Sequence, residues 1–294
     1  MDELRAASTS VGATGAIMAL YVAVWLLTGS LAALAELAHT LVDAVAVATT
    51  FFAVRASLKP PDAEHPYGHQ KADTLGGFIG SIVVLIAASL IAYEAVERLI
   101  SWTAFNPDPL AAGAVAAAVL IDVNRVRMLR KFRRSRALSA DALHFTTDIF
   151  ASLGVLTNFV AGLYLIESSP ALFKAAGPLM DVVAAAAITA VFATLSFKLL
   201  RASAIELLDY APPEVVEDVR RLASEVPGVA AVKDVKVRKA GRVYHGELTI
   251  RVPGGISIEE AHEIADAVEE RVRAELGGVV VVHVEPAPGE GERG

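Results

Sequence analysis

The sequence predicts an α-helical membrane protein, with six membrane-crossing helices followed by a small cytoplasmic α+β domain. Three observations carry that prediction. The 294 residues are 54% hydrophobic and mean hydropathy is +0.51, well above a typical soluble domain. Apolar runs of bilayer-crossing length recur through the first part of the chain. Hydrophobicity and charge then change together near Asp209. Residues 1–208 carry 15 Lys/Arg against 16 Asp/Glu (a balance of −1), and residues 209–294 carry 11 against 17 (−6). The expected domains are 1–208 and 209–294, the second ending in a short flexible tail.

The helices are expected at 11–29, 31–54, 73–101, 109–129, 138–166 and 178–201. Asp122 interrupts the apolar run of the fourth. Breakers separate the spans: Thr28-Gly29, Lys59-Pro60-Pro61, Asn106-Pro107-Asp108-Pro109, and a stretch from Ser168-Ser169-Pro170 through Gly177-Pro178. The first run does not read as a signal peptide, because it lacks a strongly basic start and a second span follows almost at once.

Lys and Arg set the orientation. The 2–3 loop has Arg55, Lys59 and Lys71. The 4–5 loop has Arg125, Arg127, Arg130, Lys131, Arg133, Arg134 and Arg136. Lys198 and Arg201 follow the sixth span. The opposite side has only Arg98 and Lys174. Both termini are therefore expected in the cytoplasm. The basic 4–5 run reads as a positive-inside anchor at the lipid surface. Net charge is −7 and pI about 5.5, which argues against nucleic acid as a partner.

No cysteine is present. Disulfides, thiolate zinc sites, iron–sulfur clusters and a cysteine nucleophile are excluded. Any transition metal must be held by nitrogen and oxygen. Ionisable groups inside spans are costly and mark function. Span two contains Glu36, His39 and Asp43, and span five contains Asp141, His144 and Asp148. Both read acid-x-x-His-x-x-x-Asp. Four residues is about one helical turn, so each His and Asp share a face. Two such helices side by side would form an N2O2 cage suited to Zn²⁺, and less exclusively to Co²⁺, Cd²⁺ or Fe²⁺. The plainer alternative is a buried His–Asp hydrogen bond that only links helices. In the 2–3 loop, Asp62, His65 and His69 lie around Pro66 and Gly68. They form either an exposed zinc site or a turn whose histidines face water.

These motifs together resemble the cation diffusion facilitator family of zinc transporters. The resemblance rests on six spans, His39-x-x-x-Asp43, the loop HPYGHQKAD, His144-x-x-x-Asp148 and a small C-terminal domain. It implies a homodimeric antiporter that moves Zn²⁺ or a related divalent ion out of the cytoplasm against protons, with no organic cofactor and no enzymatic activity. His39, Asp43, His144 and Asp148 match the transport site, and Asp62, His65 and His69 match the loop site. Some bacterial relatives carry Asp where this chain has His39, and manganese-type members replace His144 by carboxylate or amide. The two histidines here resemble the zinc-selective pattern. The histidine-rich 4–5 loop of many eukaryotic members is missing, which points to a prokaryotic plasma membrane. Lys71 and Asp209 match a Lys–Asp pair that interlocks protomers at the membrane–cytoplasm junction of relatives.

Zinc requires neutral His and ionised Asp, so binding releases protons. Competition for a site of alternating access becomes antiport, with His39 and His144 the natural proton carriers. Two rival classes fit less well. A membrane zinc protease needs His-Glu-x-x-His, and a di-iron enzyme needs more His and Glu ligands than the spans supply. A non-transporting metal sensor would not need the buried cage.

The C-terminal part reads α-β-β-α-β, a ferredoxin-like module. It has a helix at 213–226, alternating strands around Val235–Val237 and Tyr244–Val252, a helix at 257–276, and a strand at 279–284. The family uses this metallochaperone-like domain for dimer contacts and metal sensing. Where metal-sensing members have histidines, Lys233 and Thr249 stand here. His283 and Glu285 survive on the last strand and His262 lies on the second helix, a partial site for at most one ion.

Overall fold

The computed structural model describes residues 3–28, 31–101, 109–241 and 243–288. The expected breaks at Gly29 and Asn106-Pro107-Asp108, and the tail from residue 289, lie outside the described residues. Contacts divide the chain into two units, Met1–Ser203 and Ala204–Gly294.

The first unit is built from α1 (Glu3–Thr28), α2 (Leu31–Ser57), α3 (Lys71–Ser101), α4 (Pro109–Leu129), α5 (Arg136–Ser168) and most of α6 (Pro170–Leu207). Among the described residues, Glu3–Leu27, His39–Ser57 and Lys71–Leu90 are long and apolar enough to cross a membrane. Large apolar side chains such as Leu27, Phe52, Leu90, Ile100 and Leu120 point outward, as they must where lipid is the solvent. Hydroxyls turn inward on their own helices: Thr14, Thr49, Ser81, Thr147 and Thr157 each donate to the carbonyl four residues back. That satisfies a polar group without water.

Three sequence expectations change. Helix α1 begins eight residues before the expected 11. Pro170 opens α6 rather than sitting in a loop, and the helix runs through Gly177-Pro178. A proline at the first helical position is compatible because its missing N–H would be unpaired anyway. The basic 4–5 connection is two residues shorter than expected, because α5 begins at Arg136 rather than 138. Arg125 and Arg127 belong to α4, Arg130–Phe132 is a 3₁₀ turn, and Arg136 opens α5.

Helices α3 and α5 approach very closely, and glycine makes this possible. A Cβ on Gly76 would lie 3.0 Å from the Ala137 Cβ, one on Gly77 2.5 Å from the Arg136 Cβ, and one on Gly80 2.7 Å from the Ala140 Cβ. Small residues at helix contacts are the usual route to tight packing in membranes.

The second unit begins within the last turn of α6, slightly before the expected boundary at 208/209. That turn is bound to the cytoplasmic module. The buried Glu206 accepts from the Lys239 Nζ (3.2 Å) and the Gly241 N–H (3.1 Å). Asp209 terminates the helix with φ 60°. Its N–H donates to the Glu206 carbonyl, and the Tyr210 N–H donates to that of Ile205, a Schellman cap. Then follow α7 (Pro213–Ser224), β1 (Ala231–Ala240), β2 (Val243–Val252), α8 (Ile258–Leu276) and β3 (Val279–Pro286), in the expected α-β-β-α-β order. The sheet order is β1-β2-β3; β1 and β2 are antiparallel and β2 and β3 parallel. One face packs Val237, Leu248, Ile250 and Val280 on Leu222 of α7 and on Val268 and Val272 of α8. Helix α8 starts with a Ser257–Glu260 capping box and ends at Gly277 in the left-handed region.

Candidate metal centre

The predicted cage residues converge from α2 and α5. The His144 Nε2 lies 3.0 Å from the Asp43 Oδ1 and 3.7 Å from the Asp148 Oδ2. The His39 Nε2 lies 3.8 Å from the Asp43 Oδ2 and 3.9 Å from the Asp148 Oδ1. Each histidine thus meets the carboxylate one turn on and the carboxylate of the facing helix. A tetrahedral ion with bonds of about 2.0 Å has ligand–ligand edges of about 3.3 Å, so these four nitrogen–oxygen separations bracket the required value. His39, Asp43 and Asp148 offer ligand atoms within 4.8 Å of one another. His144 stands outside that trio and reaches both carboxylates by hydrogen-bond or ion-pair contact. Burial is uneven. The side chains of His144, Asp43 and Asp148 are 5%, 10% and 14% exposed, while His39 is 49% exposed. The cage is closed on the His144 side and open on the His39 side.

The leading acid of the span-five motif plays another part. Asp141 is buried and accepts from the Ser10 hydroxyl of α1 at 2.7 Å, so it ties α5 to α1 rather than lining the cage. Glu36, a turn before His39, is half-buried. Sequence reading also undervalued Asp122 and Arg125. Both are buried in α4, with the Arg125 Nε 3.4 Å from the Asp122 Oδ1 and the guanidinium 3.7 Å above the Phe145 ring. The three-residue spacing Asp122-x-x-Arg125 was the available signal, because it places both charges on one helix face.

The loop residues also come together. The Asp62 Oδ1 accepts the His65 N–H at 2.7 Å and the Glu64 N–H at 3.1 Å. Asp62 lies 3.3 Å from the His65 Nδ1 and 3.4 Å from the His69 Nε2. The imidazole centroids are 4.2 Å apart. All three form a group able to hold an ion. Donation from the His65 backbone N–H, aided by both imidazoles, holds the Asp62 carboxyl below the usual carboxylate range.

The cytoplasmic residues do not assemble within one chain. Side chains alternate across a strand. Val280, Val282 and Val284 of β3 face the core with α8, so His283 and Glu285 face the opposite side. His262 lies on α8 near Asp266, at 3.7 Å, and is largely exposed. Glu285 is engaged by the Lys233 Nζ at 2.7 and 2.9 Å, and this ammonium holds its carboxyl below the usual range. Lys233 reaches it because a register shift between Val232 and Asp234 leaves Lys233 outside the ladder. Thr249 pairs with His283 in the ladder. Asp209 is bound to the Arg238 guanidinium at 3.1 Å; Lys71 opens α3 in the other unit.

Membrane helices bearing a nitrogen–oxygen site of cation-binding geometry, followed by an αββαβ module, define an integral membrane protein that handles metal cations. The chain belongs to the cation efflux, or cation diffusion facilitator, family. Residues 8–208 match the cation efflux transmembrane domain and residues 211–287 the cation efflux protein cytoplasmic domain. It is similar to the manganese efflux system protein MneS of Bacillus subtilis (strain 168), with 28% identity over 293 residues, covering 97% of both chains. The cation-efflux pump FieF of Klebsiella pneumoniae subsp. pneumoniae is 28% identical over 294 residues, covering 96% of this chain and 92% of that one. FieF of Shewanella oneidensis is 29% identical, covering 96% and 93%. The protein is a cation efflux transporter, a member of a family of transporters rather than enzymes.

Proposed function

We propose that this transporter exports Zn²⁺ in preference to other divalent ions, in exchange for protons, and works as a homodimer in a prokaryotic plasma membrane with both termini in the cytoplasm. The observation that carries the reading is the convergence of two imidazoles and two carboxylates with nitrogen–oxygen separations of 3.0–3.9 Å. Imidazole ligands favour zinc-like ions, whereas manganese prefers all-oxygen sites. The similarity to a protein named for manganese efflux supports a second reading, in which Mn²⁺ is the cargo. The nitrogen content of the cage argues for zinc.

The proton side follows from the same atoms. Each histidine sits within ion-pair distance of two carboxylates, so a proton and a dication compete for the same atoms. An arriving dication draws Asp43, Asp148, His39 and His144 onto itself and needs both rings neutral, so protons leave. His39, on the open side, and His144, on the closed side, would supply the two nitrogens of the ligand set. The loop trio is auxiliary. Lys71 and Asp209 interlock protomers at the dimer interface, and the cytoplasmic domain supplies further dimer contacts.

Purified protein in proteoliposomes with an imposed pH gradient tests this directly. The expected result is Zn²⁺ flux coupled to proton counterflow, exceeding Mn²⁺ flux. Equal flux without the gradient would refute antiport, and faster Mn²⁺ flux would favour the second reading.

A further inference from the structure

His144 lacks the support that ligating histidines usually have. A metal-binding imidazole is ordinarily fixed by a hydrogen bond at its second ring nitrogen. The His144 Nε2 faces Asp43 and Asp148, but its buried Nδ1 has no hydrogen-bond partner among the described residues. The imidazole rests instead against the Phe145 ring, with centroids 5.0 Å apart and planes inclined by 58°. That separation is within the range of attractive aromatic contact.

Phe145 is held in turn from α4. It is buried in an apolar cluster with Val47 of α2 and Val126 and Leu129 of α4. The Arg125 Cζ lies 3.7 Å from its ring centroid, well inside the distance at which a cation is attracted to a ring face. Arg125 is itself buried, and its guanidinium nitrogens make no hydrogen bond among the described residues. Its compensation is the ion pair of Nε with the Asp122 Oδ1 at 3.4 Å and the Phe145 ring. A charge buried with so little compensation is costly, and an apolar side chain of similar volume often serves stability as well or better. Stability alone therefore gives no reason for Arg125, and the group it reaches through one ring is His144.

We propose that Arg125 is a positioning residue of the cage. Through Phe145 it holds the His144 imidazole on Asp43 and Asp148, so that the closed side presents nitrogen to the ion. Arg125 thereby determines specificity. Zn²⁺ gains from the second imidazole, whereas Mn²⁺ is served as well by oxygen, so loosening His144 weakens Zn²⁺ more than Mn²⁺. Asp122 keeps the guanidinium over the ring. The inference rests on the cage being the transport site, and it adds residues outside the ligand set that tune its selectivity.

The test measures Zn²⁺ and Mn²⁺ affinity by calorimetry on the full chain in detergent, with His65 and His69 replaced by Ala so that the heat reports the cage. Arg125→Met together with Asp122→Asn removes the ion pair without stranding one buried charge. Zn²⁺ affinity should fall by a factor on the order of 10, the low end of what outer partners of metal ligands contribute, with Mn²⁺ affinity changed much less. Arg125→Lys, which keeps a cation for the ring, should retain most of the Zn²⁺ preference. Asp122→Asn alone should cost less than the double replacement, and an equal effect would assign the role to Asp122 instead. An unchanged Zn²⁺/Mn²⁺ ratio would overturn the proposal, because a merely structural pair affects both ions alike. In a His144→Ala chain the double replacement should leave Zn²⁺ affinity unchanged; the full loss there would show that Arg125 does not act through His144. If the double replacement fails to fold, Phe145→Leu, which keeps an apolar filler but loses the ring, should lower the Zn²⁺/Mn²⁺ ratio in the same way, and an unchanged ratio would overturn the proposal. A chain that binds at the cage but moves no metal would count against transport and leave the positioning result standing.

Discussion

The His144 Nε2 and the Asp43 Oδ1 lie 3.0 Å apart across the contact of α5 with α2, although 101 positions separate them in the chain. Each belongs to its own His-x-x-x-Asp turn, and the cross-helix contact makes two local motifs one site. Replacing Asp43 or Asp148 by Ala should abolish metal-driven proton flux while leaving a folded protein by thermal unfolding. Wild-type flux in either purified variant would refute the assignment.

His39 is the most exposed of the four. His39→Asp removes a nitrogen ligand and adds an oxygen, so selectivity should broaden toward Cd²⁺. Competition between Zn²⁺ and Cd²⁺ in the flux assay measures this, and an unchanged ratio would exclude His39 as a selectivity residue.

His65→Ala with His69→Ala should slow transport without stopping it, because the trio is not part of the cage. The carboxyl of Asp62 is held low. It therefore keeps its negative charge to lower pH than an ordinary aspartate, and that charge is available to a cation. Metal titration of the loop in a chain lacking Asp43 and Asp148 should show weaker binding after Asp62→Asn, and unchanged binding would exclude Asp62 as a ligand. Complete loss of flux in the double alanine chain would mean that the two sites are ranked wrongly.

Gly77 and Gly113 should respond oppositely to alanine. At Gly77 the new methyl would lie 2.8 Å from the backbone carbonyl carbon and oxygen of Arg136, and overpacking of this kind costs about 1–3 kcal/mol. At Gly113 nothing lies within 4 Å, and Gly→Ala in a helix gains about 0.5–1 kcal/mol. Thermal unfolding in one detergent compares them; similar shifts in both would argue against the close contact of α3 with α5.

The cytoplasmic unit should bind at most one ion, weakly. Lys233 neutralises Glu285, and His262 and His283 lie on opposite sides of the sheet. A full chain lacking Asp43, Asp148, His65 and His69 isolates this unit for zinc titration, and two tight ions per chain would refute the prediction. The Glu285 value is lowered on folding. The Lys233 contact therefore contributes stability above the ordinary glutamate range and loses it as pH falls through the lowered value. Because the pair is solvent-exposed, the effect should be small.

Charge reversal tests the interlock. Lys71→Glu should impair transport, and adding Asp209→Lys should partly restore it. Asp209 also binds Arg238, so Asp209→Lys alone should perturb the helix end as well as the pairing. Absence of rescue would remove the evidence for an interlock.

Much of this protein is local in the chain. Apolar runs, two His-x-x-x-Asp turns, the HPYGH loop and the alternation of β1, β2 and β3 each need only neighbouring residues and a known period, so sequence alone yields six helices, an αββαβ module and the four side chains that converge between α2 and α5. Tertiary packing decided what depends on distant partners. Asp141 repeats the motif that carries His39 and Asp43, yet it bonds to Ser10 of α1, because that hydroxyl is what packing places beside it. Arg125 looks like a loop cation, yet it is buried against Phe145 and Asp122. His262 and His283 fall on opposite sides of the sheet because the β3 side chains alternate and α8 covers only one face. Asp73 reads as an ordinary acid in a first helical turn, until the close approach of α3 to α5 brings it onto Ser135 and Arg136, 62 and 63 residues away.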